Sequence, residues 1–162
     1  MVLKDSVENF ENEPITFYPP KHYPLDNFSS FAVDLEDGLR YPTSEHAYQA
    51  SKFFTTDPLI AEKIRNARSA HDAKKIAHEH EEKVRKDWDD IKLDVMKSVL
   101  LKKVHQNPYV KKILFKTGDR PIVEDSPTDS FWGWDSDKQG ENHLGRLWME
   151  IREDIRAELE GE

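Results

Sequence analysis

Asp87-Trp88-Asp89-Asp90-Ile91-Lys92-Leu93-Asp94-Val95-Met96-Lys97-Ser98-Val99-Leu100-Leu101-Lys102-Lys103-Val104-His105-Gln106 is the longest uninterrupted helical pattern in the chain. Trp88, Ile91, Val95 and Val99 recur on one side of such a helix, and Leu93, Leu100 and Val104 on another. A helix that is apolar on two sides is buried between neighbours. This one is therefore expected at the centre of the fold. Asn107-Pro108 breaks it.

Shorter helices are expected around it. Thr43 or Ser44 caps one that runs to about Phe54. Asp57-Pro58 opens a second, to about Ala67. Ser69 caps a third through Ala73, Ile76 and Ala77. Pro108 starts a short helix that Gly118 stops. A last helix runs from about His143 to Leu159, with Leu144, Leu147, Trp148, Ile151 and Ile155 on its inner face. Strands are few. Ile15 to Tyr18 is one, ended by Pro19-Pro20. Phe31 to Val33 pairs with Leu39 to Tyr41 across Glu36-Asp37-Gly38 as a hairpin. Ile122-Val123 is another. The expected fold is α+β and mostly helical, with a small β-sheet and a long buried central helix. Residues 1–12 read as a loose tail and 13–160 as a single domain.

The 162 residues suit one domain on a prior of roughly 100–200 residues each. Asp plus Glu outnumber Lys plus Arg by 32 to 24, for a formal charge of -8. That balance is wrong for tight, sequence-independent binding to a phosphate backbone, though it permits a local positive pocket. With no cysteine, disulfides, thiolate zinc sites and Cys nucleophiles are excluded. No apolar run spans a membrane. Met1 to Asp5 carries no signal-like apolar segment, so a cytoplasmic protein is expected.

Four constellations carry chemical interest. In Ser44-Glu45-His46-Ala47-Tyr48-Gln49-Ala50-Ser51-Lys52-Phe53-Phe54, the helical period turns Glu45, Tyr48, Gln49 and Lys52 to one side. Ala47, Ala50 and Phe54 turn away. The polar side fits either a catalytic face or a solvated one with local partners. Asp125 to Asp135 alternates carboxylates with Phe131, Trp132 and Trp134. It suits a flat heterocycle joined to a sugar, or a loop pinned by its own tryptophans. Gly140-Glu141-Asn142-His143-Leu144-Gly145-Arg146 lies at the start of the last helix, where free amides attract anions. Plain capping by Asn142 is the simpler alternative. His71, His78, Glu79 and His80 are metal-ligand types, but they spread around one helix axis, which is poor geometry for a single ion. No Gly-x-Ser-x-Gly elbow occurs.

The motifs Asn27-Phe28-Ser29 and Pro42 to Phe53, Arg85-Lys86-Asp87-Trp88, Thr117-Gly118-Asp119, Ile122-Val123-Glu124, Asp129-Ser130-Phe131-Trp132-Gly133 and Gly140 to Gly145 follow one another in an order that resembles the YbiA/NADAR family. They span roughly residues 15 to 155. The resemblance implies an N-glycosidase that hydrolyses a ribosyl C–N bond. The bond would lie either in phosphorylated ribosylaminouracil intermediates of riboflavin synthesis or between ADP-ribose and a guanine base. A sensor that binds ADP-ribose or NAD without cleaving it is the alternative. The implied catalytic residues are Glu45, Asp129 and Lys52. The implied substrate-binding residues are Asn27, Phe28, Tyr48, Gln49, Trp88, Trp132, Gly133 and Asn142. No metal and no organic cofactor is implied. The partner is a small nucleotide-like substrate or an ADP-ribosylated nucleic-acid base, with no membrane. Two positions depart from the family pattern. Ser30 replaces a common Asn. Ala77-His78 stands where many members carry Gly-Arg, so if that arginine holds a phosphate this chain either uses another cation or takes a different substrate.

The chemistry such a site performs follows from the transition state. Breaking a ribosyl C–N bond builds positive charge on the anomeric carbon and ring oxygen. A nearby carboxylate stabilises it, and the same or a second one takes a proton from water. Glu45 and Asp129 are expected in these two roles, in either order. Lys52 is expected to bind phosphate, tune Glu45, or form an imine with the opened sugar. Trp88 and Trp132 would flank the heterocycle.

Overall fold

The computed structural model describes residues 13–18 and 23–161. The expected tail, residues 1–12, and the Pro19-Pro20 strand stop lie outside them. The fold is α+β and mostly helical, and backbone contacts divide the chain into two compact units. One is residues 27–111. The other combines the residues before and after it.

Within residues 27–111, β2 (Val33–Asp34) and β3 (Arg40–Tyr41) pair antiparallel as a hairpin. Gly38 takes the positive-φ turn position, at +78°. Four helices follow: α1 (Ser44–Ser51), α2 (Pro58–Arg65), α3 (Ala70–Glu79) and α4 (Trp88–Gln106). Three start where a side-chain cap was legible. Thr43, Asp57 and Ser69 accept hydrogen bonds from the backbone N–H groups of His46, Ile60 and Asp72. Each satisfies a donor that the helix cannot.

The helix α1 is the surprise. All eight of its residues are buried, including Ser44, Glu45, His46, Gln49 and Ser51. Helices α2, α3 and α4 all pack against it. The apolar contacts come from small residues: Ala47 and Ala50 on α1, Ala61 on α2, and Ala73 and Ala77 on α3, with Phe53, Ile60, Ile64 and Val99 filling the space between. Small side chains let helix backbones approach closely. Helix α4 buries residues of both its apolar sides, Trp88 and Val99 on one and Leu100 and Val104 on the other. It also buries Lys103 completely. That ammonium donates to Ser29 Oγ at 3.0 Å and Ser44 Oγ at 3.4 Å, and sits 6.0 Å from the Phe31 ring centre.

The second unit is built on β1 (Ile15–Phe17) and β4 (Ile122–Glu124), which pair in parallel with Ile15 opposite Ile122. Helix α6 (His143–Glu160) packs on β4. It buries Leu144, Leu147, Trp148, Ile151 and Ile155 as its periodicity predicts. The Trp148 indole N–H donates to the Leu25 carbonyl at 3.0 Å, which satisfies its polar end in the core. The division between the units falls within α5 (Pro108–Lys116). No helix among the described residues is long and apolar enough to cross a membrane.

Gly145 sits where α6 meets β4. A Cβ on it would overlap the Ile122 carbonyl oxygen and the Asn142 amide. The obstacle includes backbone, so it cannot swing aside. Gly145→Ala is expected to destabilise the protein by about 3 kcal/mol, lowering Tm by about 6–12 °C. Gly161→Ala, whose Cβ meets only ordinary contacts, is expected to leave Tm within about 2 °C. Thermal unfolding followed by circular dichroism measures both.

Candidate active site

The polar side of α1 is not a solvated face. Glu45 is 6% exposed and Gln49 3%. One helical turn separates them, and the Gln49 amide donates from Nε2 to Glu45 Oε1 at 2.7 Å. The amide orientation follows from the chemistry, because a carboxylate accepts and only the NH2 end donates. The Gln49 carbonyl oxygen is thereby turned off the carboxylate. It is buried and meets no donor among the described residues. A buried acceptor left unpaired costs about 1–3 kcal/mol, which a ligand donor would recover.

Three further bonds fix Glu45 from behind. Its backbone N–H donates to the Asn27 carbonyl at 3.0 Å. Ser44 Oγ donates to Asn27 Oδ1 at 3.0 Å, and Asn27 Nδ2 reaches Met96 Sδ at 3.5 Å. Asn27 thus ties the segment before the hairpin to the start of α1. Phe28 follows it and is half-buried. His46 is held in the same turn, with Nδ1 at 2.8 Å from Thr43 Oγ1 and Nε2 at 3.1 Å from the Ala67 carbonyl. Burial pushes its pKa down, against the opposing pull of the Ala67 bond.

At the other end of α1, Tyr48 and Trp88 meet with ring centres 5.1 Å apart. The Lys52 ammonium lies 5.7 Å from the Tyr48 ring centre and 5.8 Å from that of Trp88. This is within cation–π range of both. The loop before α4 is anchored there by a bond from the Arg85 N–H to the Lys52 carbonyl at 3.0 Å. Burial lowers the Lys52 pKa below that of a free lysine. Glu45 and Glu81 oppose the shift, while Lys74 and Lys92 add to it. The structure therefore brings Asn27, Glu45, Tyr48, Gln49, Lys52 and Trp88 together within residues 27–111.

Asp129, Trp132, Gly133 and Asn142 belong to the other unit, where they share one folded loop. Asp129 Oδ1 accepts from the N–H groups of Phe131 and Trp132 at 3.0 and 2.8 Å. Phe131 packs edge-on against Trp132 at 4.8 Å. Residues 130–134 and 140–144 are laced by backbone bonds, among them Asn142 N–H to the Gly133 carbonyl and Leu144 N–H to the Trp132 carbonyl. A Cβ on Gly133 would press on the Glu124 and Asp129 carbonyls, so only glycine lets these strands of loop approach. Asn142 occupies the N-cap position but does not cap by its side chain, contrary to the simpler expectation. Its φ is +52°. Its amide instead donates to the Ile122 carbonyl and accepts from the Glu124 N–H.

Sequence reasoning missed Ser44, His46 and Lys103 as supports of the Glu45 turn. Their polarity carried no signal of burial. Among the described residues no group of three or more His, Cys, Asp or Glu could hold a metal ion. The cluster around His71 and His78 forms no such site.

Residues 16–156 match the NADAR domain family. An N-glycosidase of Nostoc punctiforme is 40% identical over 133 residues, covering 82% of this chain and 85% of that protein. A riboflavin biosynthesis protein of Vibrio vulnificus is 37% identical over 154 residues, 94% of this chain but 41% of that longer one. The NMR structure of the Escherichia coli protein YbiA superposes with a TM-score of 0.82 at 32% identity, covering 91% of this chain and 87% of that chain.

The Lys52 environment makes a spectroscopic prediction. Lysine side-chain NMR is expected to find an ammonium that titrates below the usual range and whose signal is lost in Lys52→Met. Glu45→Gln should lower that pKa further, because the carboxylate favours the charged form. Lys92→Met should raise it.

Proposed function

The chain belongs to the NADAR domain family, and from that premise we propose that it is an N-glycosidase acting on a ribosyl C–N bond of a small nucleotide-like molecule. The observation that carries this is the buried carboxylate of Glu45, clasped by Gln49 on a helix face that ends in Tyr48 and Lys52, with Trp88 of α4 packed against Tyr48. A carboxylate held still in a site with little water stabilises developing positive charge strongly, because nothing must reorganise during the reaction.

Hydrolysis then runs as follows. The C–N bond breaks and its electron pair leaves with the nitrogenous base. Charge on the anomeric carbon and ring oxygen is stabilised by Glu45. Water adds to the anomeric carbon and gives its proton to a carboxylate, while the departing nitrogen takes up a proton. The products are the free sugar and the free base. Gln49 keeps the Glu45 oxygen aimed and offers its unpaired carbonyl to a sugar hydroxyl or a base amine. Tyr48 and Trp88 present aromatic surface to the heterocycle, a contact worth about 1–3 kcal/mol per base in comparable sites. Lys52 binds the substrate's negative charge. Asn27 lies at the start of this face, bonded to Ser44 and to the Glu45 N–H, and Phe28 enters the proposal on its sequence motif.

Asp129, as the second carboxylate, and Trp132, as a second stacking ring, enter the proposal on their sequence motif, as do Gly133 and Asn142. We assign the substrate to phosphorylated ribosylaminouracil compounds rather than to ADP-ribosylated guanine in nucleic acid. The formal charge of -8 supports a free metabolite over a polyanion. The riboflavin biosynthesis name of the Vibrio relative supports the same class. Cytoplasmic location and a single domain over residues 13–160 belong to the same proposal.

A product assay by chromatography and mass spectrometry tests it. The wild type is expected to release ribose 5-phosphate from a ribosylaminouracil phosphate. Glu45→Gln, which keeps the size and hydrogen-bonding capacity, should lose at least about a hundredfold in kcat. Asp129→Asn retains the acceptor oxygen that holds the Phe131 and Trp132 amides, so it should fold normally and still lose about a hundredfold. Undiminished turnover in folded Glu45→Gln would sink the mechanism. Release of ADP-ribose from a modified guanine oligonucleotide alone would move the substrate to the other class. Ligand binding without any product would favour a sensor.

A further inference from the structure

His46 stands next to Glu45 on α1, is 1% exposed, and takes no part in the bond-breaking chemistry. Its ring joins the cap of α1 to the segment after α2. Nδ1 lies 2.8 Å from Thr43 Oγ1, and Nε2 lies 3.1 Å from the Ala67 carbonyl. A carbonyl oxygen only accepts, so Nε2 carries the proton. A neutral imidazole has a single N–H, so Nδ1 is an acceptor and the Thr43 hydroxyl donates to it. The same hydroxyl oxygen accepts from the His46 N–H at 3.1 Å, the bond that caps the helix. Thr43 is itself buried. The neutral Nε2–H form thus satisfies both ring nitrogens and the cap together. The same turn carries Glu45, whose N–H donates to the Asn27 carbonyl at 3.0 Å.

We propose that His46 is a positioning residue: as the neutral Nε2–H tautomer it locks the first turn of α1, and Glu45 with it, to the Ala67 segment, and protonation at Nδ1 opens the lock. The catalytic consequence rests on the N-glycosidase reading of Glu45, while the lock itself does not. A proton added at Nδ1 turns that atom from acceptor into donor. It then meets the hydroxyl hydrogen of Thr43, which must rotate away. The Thr43 oxygen is left facing two donors, and its own hydrogen loses its acceptor in a buried place. The new charge is buried as well, which is costly without a partner. Among the described residues no charged or titratable group of a packed element contributes to the ionisation of His46. Glu45 on α1 itself, Arg65 on α2, His71 and Asp72 on α3, Lys103 on α4 and Arg40 on β3 all leave it unmoved. Burial disfavours the charged form, and only the Ala67 bond opposes it. The pKa in the folded protein therefore lies below that of an unconstrained histidine, about 6.5. The lock is complete above that pH and is lost progressively as the pH falls through the lower, folded-state value.

Long-range proton–nitrogen correlation NMR reads the tautomer. Amide hydrogen exchange at pH 7 and pH 5, expressed as protection over the intrinsic rate, reads the turn. Both are made on wild type and on His46→Gln, whose side-chain amide reaches toward the Ala67 carbonyl but does not titrate. His46 is expected as the Nε2–H tautomer at pH 7. Between the two pH values, protection of the amides at positions 45 and 46 should fall at least about fivefold more in wild type than in His46→Gln. The amides of Ile151 and Ile155 on α6 should differ less than about twofold between the proteins. The acid limb of kcat/KM for an N-riboside should lie at higher pH in wild type than in His46→Gln. A merely structural support would lower turnover without moving that limb. An Nδ1–H tautomer at pH 7, wild-type protection that holds to pH 5, an equal fall in both proteins, or an acid limb that the substitution leaves in place would overturn the proposal. If His46→Gln does not fold, the wild-type tautomer and the fall at positions 45 and 46 relative to α6 decide alone. A wild type that shows the tautomer and the local exchange but cleaves no N-riboside upholds the lock and removes the N-glycosidase reading alone.

Discussion

The hydrogen bond from Gln49 Nε2 to Glu45 Oε1, 2.7 Å long on a helix with every residue buried, is the constraint on which the rest of the structure depends. A buried carboxylate is costly unless hydrogen-bonded or paired. The helix therefore cannot be enclosed until its polar side chains have partners. Thr43 caps it, Asn27 and Ser44 secure its first turn, Thr43 and the Ala67 carbonyl hold His46, and Ser51 returns its hydroxyl to the Ala47 carbonyl. Gln49 then supplies the partner of the Glu45 carboxylate.

The packing of residues 27–111 follows from enclosing that helix. Alanines on α1, α2 and α3 allow close approach, and Phe53 and Val99 fill the gaps. The same closeness places Lys52 against Tyr48 and Trp88. Lys103, buried in α4, extends the polar support to Ser29 and Ser44. The buried Glu45 carboxylate and the Lys52 ammonium on the same helix face thus have one structural cause.

Much of the fold was legible because its signals are local. Thr43, Asp57 and Ser69 announced three helix starts, and each makes the cap bond it predicts. The period of Leu144, Leu147, Trp148, Ile151 and Ile155 read the inner face of α6 directly. What escaped is non-local or inverted in polarity. The parallel pairing of Ile15 with Ile122 joins segments over a hundred residues apart, and short strands carry no register information at that range. Burial of Glu45, Gln49 and Lys103 contradicts the polar-outside assumption on which periodicity rests. Asn142 looked like a cap because residue type does not reveal which backbone groups a side chain reaches. At the site, the grouping of Glu45, Tyr48, Gln49 and Lys52 followed from helical spacing. The approach of Trp88 and Asn27 to them required the tertiary fold.

The central claim is that Glu45 stabilises a cationic ribosyl transition state. Its most direct test compares a positively charged iminoribitol with a neutral ribose analogue of the same shape, by measuring Kd on wild type and Glu45→Gln. Transition-state mimics bind at least about a hundredfold more tightly than ground-state analogues. The account predicts that preference in wild type and its collapse in Glu45→Gln, with the neutral analogue unaffected. An iminoribitol that binds both proteins equally well would contradict it.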